Sequence, residues 1–236
     1  MCANYQPPTL ADLQDYFGAT LPAGVELPEA YPGSVAPIIR RADATTETPA
    51  RRRVADLALF GLVPPWADSG LARRTYNART ETVATKPSFR DAYRHGRFCV
   101  APAQVVYEPN YESGTAMRFA IANADGAPLA IAGIWEHRSG PDGAPLLSFS
   151  MLTINADEHP LMRRFHKPGD EKRMVVLLPP ERIDAWLDSG WQDAPAFFVP
   201  YPADALCAQP APKATRQGGK APGKTHEAAQ QGFPGM

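Results

Sequence analysis

Short apolar runs rich in β-branched and aromatic residues recur along the 236-residue chain, and they constrain its fold more than any other feature. Several of these runs alternate apolar residues with small or polar ones, as half-buried strands do. They span residues 35–40, 57–63, 98–107, 118–122, 129–135, 146–154, 173–178 and 196–201. Helical segments do not alternate with them regularly, which disfavours a doubly wound parallel sheet. The sequence therefore predicts an α+β fold built on a curved, largely antiparallel, barrel-like β-sheet.

A few helices are predicted to flank this sheet. Each begins at a residue that favours a helix N-terminus, either through a side-chain cap or through proline in the first turn. The starting residues are Thr9, Ser88 and Pro180, and the predicted helices end near residues 17, 95 and 187. Strands outnumber helices, as expected for the α+β class.

A change in composition near residue 203 divides the chain. From Ala208 to Met236 the residues are mainly Ala, Gln, Gly, Pro and Lys, and Phe233 is the single aromatic residue. Such a segment buries too little apolar surface to offset the entropy lost on ordering. We predict one domain over residues 1–202 and a disordered, mildly basic tail over residues 203–236.

Cysteine usage and hydropathy point to a cytoplasmic protein. No apolar run approaches the roughly 18 residues of a membrane span, and the N-terminus lacks the basic and apolar regions of a signal peptide. The three cysteines, Cys2, Cys99 and Cys207, form no C-x-x-C pair, so a reducing compartment is expected. We predict a cytoplasmic monomer, nucleoid-associated if bacterial, that makes no contact with membranes.

Neither a metal ion nor an organic cofactor is predicted. His159 and His166 are seven residues apart. On a helix this separation is about 10 Å, which is too far for both to bind one metal ion. The sequence also lacks glycine-rich phosphate loops, the zinc-protease motif and the serine-hydrolase elbow.

Charge is distributed unevenly along the chain. Lys and Arg total 24 and Asp and Glu total 25, a net charge of −1 that argues against a protein coating nucleic acid by bulk charge. Residues 71–98, here called the basic strip, contain seven basic and two acidic residues and carry a net charge of +5. We predict that this strip binds an anionic ligand; the alternative is an ordinary solvated surface.

Cys2 is the first candidate for a reacting residue. Removal of Met1 would place a thiol and an α-amine on adjacent carbons. The amine can form a Schiff base with an aldehyde, and the neighbouring thiol can then close a five-membered thiazolidine ring. The same residue could instead act as an N-terminal nucleophile with its own amine as the base. An incidental cysteine at position 2 is the third possibility.

Further positions carry suitable chemistry. Asn77 can hydrogen-bond a neutral intermediate, and the guanidinium of nearby Arg79 can hold a phosphate or carboxylate. Glu108 ends an apolar strand, where it is either placed for proton transfer or an ordinary glutamate at the rim of the sheet. His166 is either a structural histidine or a proton donor. Trp66 follows two prolines that stiffen its loop, an arrangement that could present the indole to a nucleic-acid base.

These motifs occur in a distinctive order. The N-terminal Met-Cys is followed by Gly-Leu-Val-Pro-Pro-Trp, by Tyr-Asn-Ala-Arg-Thr-Glu-Thr and by Lys-Pro-Ser-Phe-Arg. The series continues with Tyr107-Glu108, Ala-Gly-Ile-Trp-Glu at 132–136, Thr-Ile-Asn-Ala at 153–156 and His166. Over residues 1–200 the chain resembles the SRAP (SOS-response-associated peptidase) family, whose members shield abasic sites in single-stranded DNA.

The resemblance implies a covalent link to DNA. In this family the cysteine exposed by Met removal forms a thiazolidine with the ring-opened aldehyde of an abasic site. Carried over to this chain, Cys2 would be the nucleophile and Asn77 would hold the amine or the adduct. Glu108 would move protons during formation and reversal of the Schiff base, and His166 would assist opening of the sugar.

The resemblance also implies direct contacts with single-stranded DNA that contains abasic sites. The residues expected to make them have cationic or aromatic side chains: Arg73, Arg74, Arg79, Arg173 and Trp66. The chain departs from the family pattern in three places. Ala3-Asn4 stands where Gly-Arg is usual, and six residues separate His166 from Arg173 where the family spacing is tighter. Around Glu108, residues 102–109 read Pro-Ala-Gln-Val-Val-Tyr-Glu-Pro where Pro-Ala-Asp-Gly-Phe-Tyr-Glu-Trp is typical.

Two other functions are consistent with the same motifs. The first is an N-terminal-cysteine peptidase or amidase that removes Met1 itself, in keeping with the name of the family. The second is a non-catalytic single-stranded DNA-binding module that uses the basic strip and Trp66.

Overall fold

A closed ring of five β-strands forms the centre of the fold. The computed structural model describes residues 2–42, 53–140 and 145–213. The strands are β1 (Tyr5–Gln6), β2 (Val35–Arg41), β3 (Arg53–Phe60), β4 (Asn77–Arg79), β5 (Phe98–Ala103), β6 (Val105–Asn110), β7 (Met117–Asn123), β8 (Leu129–Ser139), β9 (Pro145–Asn155), β10 (Arg173–Val175), β11 (Leu177–Leu178) and β12 (Leu206–Pro210). Strands β9, β3, β2, β5 and β8 are neighbours in that order, and pairing of β8 with β9 closes the barrel.

Antiparallel pairing dominates this barrel and the sheet beside it. Within the ring only the pair β3–β9 is parallel. Strand β4 also runs parallel to β9, and β10 and β11 extend the sheet next to β9 and β8. A second sheet has the order β1-β6-β7-β12. The predicted α+β fold with a largely antiparallel, barrel-like sheet is thus confirmed.

The apolar run over residues 98–107 serves both sheets. It divides at Gln104 into β5, which is buried throughout and belongs to the barrel, and β6, which belongs to the second sheet. Buried and half-buried residues alternate along β6, because successive side chains of a strand point to opposite faces. Val106, Glu108 and Asn110 occupy the buried face. The alternation therefore directs the Glu108 carboxylate into the protein.

In the described part of the chain, three short α-helices flank the sheets. They are α1 (Leu10–Asp15), α2 (Arg90–Arg94) and α3 (Ile183–Leu187). Thr9 caps α1 in a capping box with Asp12, as its position predicts. The predicted cap Ser88 is wrong, since Phe89 is the N-cap of α2 and no side chain caps that helix. None of the helices in the described part of the chain has the length and apolar character needed to cross a membrane.

The strand predicted over residues 196–201 is also wrong. A 3₁₀-helix, Ala194–Phe197, lies there instead. The aromatic residues that suggest a strand pack on the indole of buried Trp186, with ring centroids 5.4 Å away for Phe197 and 6.5 Å away for Phe198. Tertiary packing of aromatic side chains therefore outweighs local strand propensity at this position.

The folded domain extends beyond its predicted end at residue 202. Strand β12 pairs with β7 from Leu206 opposite Asn123 to Pro210 opposite Phe119. It occupies the edge of its sheet, a position that tolerates proline. The predicted boundary is corrected accordingly, and residues 214–236 of the predicted tail lie outside the described residues.

Candidate active site

Cys2 is held against β6 by the strand that follows it. Tyr5 of β1 pairs with Val106, and the backbone N–H of Tyr107 donates to the carbonyl of Asn4 at 2.9 Å. This antiparallel register places the start of the chain beside Glu108. Cys2 is buried, with 2% of its surface exposed, and its thiol contacts the carbonyl oxygen of Asn4 at 3.6 Å.

Asn77 fixes the backbone of Cys2 from the other side. It is the first residue of β4, where it pairs with Met151 of the barrel strand β9. Its side-chain amide Nδ2 donates to the carbonyl oxygen of Cys2 at 2.7 Å. The Asn77 Oδ1 atom is buried without a hydrogen-bond partner among the described residues. It is therefore available to accept a hydrogen bond from an amine or an adduct at Cys2.

Glu108 and His166 form a buried pair next to Cys2. His166 Nε2 lies 3.1 Å from Glu108 Oε2, and the two side chains are 9% and 3% exposed. This is an ion-pair distance when His166 is protonated. The pair can exchange a proton with a group bound between Glu108 and Cys2.

His166 has an unusual backbone conformation, and hydrogen bonds to β6 hold its segment in place. Its φ of +66° makes it the only described non-glycine residue in the left-handed region. Its backbone N–H donates to the carbonyl of Pro109 at 2.9 Å, and Asn110 Nδ2 donates to the carbonyl of Arg164 at 3.1 Å. Both bonds tie the histidine segment to β6. Residues in such conformations concentrate at functional sites, where the surrounding structure maintains the strain.

Burial governs the ionisation of the Cys2 thiol. Desolvation raises the pKa of this thiol far above its ordinary value, and the negative charge of Glu108 adds to the effect. The thiol is therefore protonated at neutral pH. It can attack an electrophile only if a nearby base accepts its proton, and the Glu108 carboxylate lies close enough to influence it electrostatically.

Two tyrosines that the sequence did not single out border the same site. Burial raises the pKa of Tyr76, and the charges of Cys2 and Glu108 raise it further. Burial, followed by the influence of Cys2, also raises the pKa of Tyr5, whose hydroxyl has no hydrogen-bond partner among the described residues. Tyr76 directly precedes Asn77 in its motif, which is a usable signal, whereas nothing in the sequence marks Tyr5.

Across the described ranges, no three His, Cys, Asp or Glu side chains converge on a point that could hold a metal ion.

Most of the predicted DNA-binding residues lie at the surface. Trp66 is 64% exposed after its two prolines. Arg73 and Arg74 are exposed in the 3₁₀-helix Ser69–Arg74. Arg79 is exposed two residues after Asn77 on β4 and forms an ion pair with Glu171, Nη1 to Oε2, at 2.8 Å. Their roles in binding DNA stay predictions.

Arg173 lies in the interior of the protein. Its side chain is 2% exposed and binds both carboxylate oxygens of Glu81 at 2.9 and 3.0 Å. It also donates to Glu171 at 2.7 Å and to the carbonyl of Thr153 at 2.6 Å. Because Glu171 in turn binds Arg79, Arg173 positions the end of β4. In this structure Arg173 therefore binds carboxylates and a backbone carbonyl, and its predicted contact with a phosphate stays a prediction.

We expect the substitution Arg173→Met to lower the free energy of unfolding by about 2 kcal/mol. Removing one member of a buried ion pair costs about 3–5 kcal/mol, but Glu81 and Glu171 are partly exposed and their hydration reduces that loss. Urea unfolding of Arg173→Met and wild type measures the difference. The exposed Arg90→Met is the matched control and should change stability by less than about 0.5 kcal/mol.

The stability difference should also depend on pH. Burial alone would raise the pKa of Glu81, but its hydrogen bonds from Arg173 outweigh burial and hold the pKa below its ordinary value. Hydrogen bonding from Arg173 likewise lowers the pKa of Glu171. Depressed carboxyl pKa values stabilise the fold above about pH 4.5, and this contribution is lost as the pH falls through the folded-state values. Equal unfolding midpoints for both proteins at neutral pH would contradict the structural assignment of Arg173.

Comparisons with known proteins place this chain among named relatives. Residues 1–216 match the model of the family described as SOS response associated peptidase (SRAP). The chain is 33% identical over 150 residues to the abasic site processing protein YoqW of Bacillus subtilis strain 168, a stretch covering 61% of this chain and 63% of YoqW. It is 26% identical over 154 residues to the abasic site processing protein HMCES of Gallus gallus, covering 55% of this chain and 44% of HMCES. The matched region thus spans less than two thirds of the length of these relatives.

Solved structures share the fold. A crystal structure of a protein from Bordetella bronchiseptica matches with a TM-score of 0.80 at 36% identity, covering 89% of this chain and 100% of the other. A protein from Bacteroides thetaiotaomicron matches with a TM-score of 0.75 at 19% identity, covering 90% and 93%, which is a likeness of fold alone. Since the family match extends from residue 1 through β12, the chain belongs to the SOS response associated peptidase (SRAP) family.

Proposed function

We propose that this protein forms a covalent bond between Cys2 and the aldehyde of a ring-opened abasic site in single-stranded DNA. One observation carries the proposal: Asn77 holds the backbone of Cys2 at 2.7 Å beside the buried pair of Glu108 and His166. Similarity to proteins named for abasic site processing supports DNA as the substrate.

The first step exposes the aldehyde. An abasic deoxyribose is mainly a cyclic hemiacetal, and opening it requires loss of the hydroxyl proton at C1′ and protonation of the ring oxygen. His166 and Glu108, 3.1 Å apart, can supply one proton and accept the other. Burial of both side chains keeps the exchange within the site.

The α-amine of Cys2, freed by removal of Met1, then attacks C1′. Loss of one water molecule gives a Schiff base, with Asn77 holding the adjacent backbone. We assign the first attack to the amine because burial keeps the thiol protonated. The thiol next adds to the imine carbon, its proton moves to the nitrogen through Glu108, and a thiazolidine ring results. Atoms balance with no oxidant or reductant.

Ring closure has a protective consequence. An abasic aldehyde held only as an iminium ion is prone to β-elimination, which cleaves the DNA strand. The thiazolidine has no iminium, so the strand stays intact. Outside the site, the basic strip with Arg73, Arg74 and Arg79 would bind phosphates, and exposed Trp66 would stack on a base.

We expect Met-trimmed protein to form an adduct with a single-stranded abasic oligonucleotide that survives denaturing gel electrophoresis. Its mass should equal the sum of the two components minus one water molecule. An intact oligonucleotide and one with a tetrahydrofuran analogue, which cannot form an aldehyde, are the controls and should give no adduct.

Absence of adduct from correctly trimmed protein would overturn the proposal. If the protein then bound abasic and intact strands equally well, the non-catalytic DNA-binding module would be the better account. Protein made without methionine aminopeptidase tests the peptidase alternative. If the purified protein lost Met1 by itself, self-processing would be the activity that the family description names.

A further inference from the structure

An open basic cavity lies beside His166, and neither Cys2 nor Glu108 is among its lining residues. Its volume is about 670 Å³, within the usual range of about 300–1,000 Å³ for small-ligand sites. His166, Tyr111, Arg163 and Lys172 are among the residues that line it. One histidine therefore borders both the buried pair and a cavity open to solvent.

Most charges around this cavity are already engaged within the protein. Arg164 forms a two-fold contact with Glu112, 2.9 Å for each bond. The carboxylate of Asp157 accepts the backbone N–H of Lys172 at 2.8 Å. The ammonium group of Lys172 donates to the carbonyls of His166 and Lys167 at 3.3 and 2.7 Å, and both of those acceptors are neutral.

Arg163 differs from these charged residues because its side chain has no partner among the described residues. It is exposed, it lines the cavity, and its guanidinium makes no hydrogen bond or ion pair with any residue in the described ranges. Together with Lys172 it outweighs Asp157, because Arg164 and Glu112 cancel each other. The cavity therefore has a surplus of positive charge and one guanidinium able to form two parallel hydrogen bonds with an anion.

The segment between His166 and Arg173 builds one wall of this cavity. Six residues separate the two, and Pro168 and Lys172 from that segment are lining residues. Arg173 itself is buried against Glu81 and cannot reach the cavity contents. A phosphate near His166 would thus meet Arg163 and Lys172.

We propose that this cavity is a subsite for the phosphodiester directly attached to the abasic sugar, with Arg163 as its main contact. The inference rests on the proposed function. A sugar positioned at Glu108 and His166 carries its phosphates with it, because both are bonded to sugar carbons. The cavity adjoins His166, is cationic and is open, which suits a phosphate whose chain continues into solvent.

The test combines variants of the protein with uncharged linkages in the DNA. Abasic oligonucleotides carry a methylphosphonate, which has no negative charge, either 5′ or 3′ to the abasic site. Rates of crosslinking at subsaturating protein are measured for wild type, Arg163→Ala and Arg90→Ala. Arg90 is an exposed arginine of the basic strip that does not line the cavity, so its variant controls for the general loss of one charge.

For wild type, we expect one of the two methylphosphonates to slow crosslinking about ten-fold, as for loss of one charged hydrogen bond. Arg163→Ala should be slower on unmodified DNA by a similar factor, and the same methylphosphonate should then cause no further loss. Arg90→Ala should keep the full methylphosphonate effect. The salt dependence of non-covalent binding by Arg163→Ala should also be weaker by about one phosphate contact.

The subsite is overturned if neither methylphosphonate slows wild type, or if Arg163→Ala remains as sensitive as wild type to both of them. These outcomes are distinct from failure of the proposed function, in which wild type forms no adduct with unmodified abasic DNA.

Discussion

Replacing Cys2 by alanine is expected to abolish the stable crosslink and to leave only a transient Schiff base. The variant keeps an α-amine after Met removal, so it can still condense with the aldehyde. It has no thiol to close the ring, and the iminium remains exposed to β-elimination. Strand cleavage should therefore increase as the stable adduct disappears.

Borohydride distinguishes the transient Schiff base from the stable thiazolidine. It reduces a Schiff base to a stable amine, so Cys2→Ala should be trapped on a denaturing gel only when borohydride is present. Cys207→Ala is the matched control, because Cys207 lies on β12 with its thiol 3.8 Å from the carbonyl of Asn123. That variant should crosslink like wild type. A stable adduct from Cys2→Ala without borohydride would rule out the thiazolidine.

The substitution Glu108→Gln is expected to slow crosslinking by about 10²–10⁴-fold, the usual contribution of a positioned acid or base. Glutamine has nearly the same shape as glutamate but cannot accept a proton from the thiol or exchange one with His166. The loss should appear in the rate of adduct formation, and non-covalent binding of intact single-stranded DNA should change little. Single-turnover kinetics with an abasic oligonucleotide measures the rate.

Glu26→Gln is the control for this experiment. Glu26 is an exposed carboxylate that does not line the cavity beside His166, so its loss should leave the crosslinking rate nearly unchanged. Urea unfolding of Glu108→Gln verifies that the variant is folded. If folded Glu108→Gln reacted as fast as wild type, Glu108 would have no part in the proton transfers.

The barrel was predictable from sequence because its strands are long enough to show a pattern. Alternation along 129–135 and 146–154 marks β8 and β9, whose pairing closes the ring. The two-residue β1 and the three-residue β4 have no such pattern, since pairing with β6 and β9 defines them. These short strands nevertheless position Cys2 and Asn77. The elements hardest to predict are thus the ones that assemble the site.

The site itself was predictable only as a set of residue types in order. Motif order brought Cys2, Asn77, Glu108 and His166 together as candidates, and the structure places them around one point, while their chemical roles stay predictions. The burial of Arg173 was not predictable, because its partner Glu81 is 92 positions away and no local pattern links them. The availability of the Arg163 side chain was not predictable either, because it depends on which neighbouring charges are already paired.

Cys2 lies between β4, which carries Asn77, and β6, which carries Glu108, and this arrangement affects the rate of folding. Asn77 is 75 positions from Cys2 along the chain, and the contact of His166 with Glu108 also joins distant segments. Contacts of such long range form late and make folding slow, on the scale of milliseconds to seconds. A newly made chain therefore carries a cysteine that lacks its contacts with Asn77 and Glu108 until the barrel has formed. Under the proposed function, the chain becomes able to react with an abasic site only once it has folded.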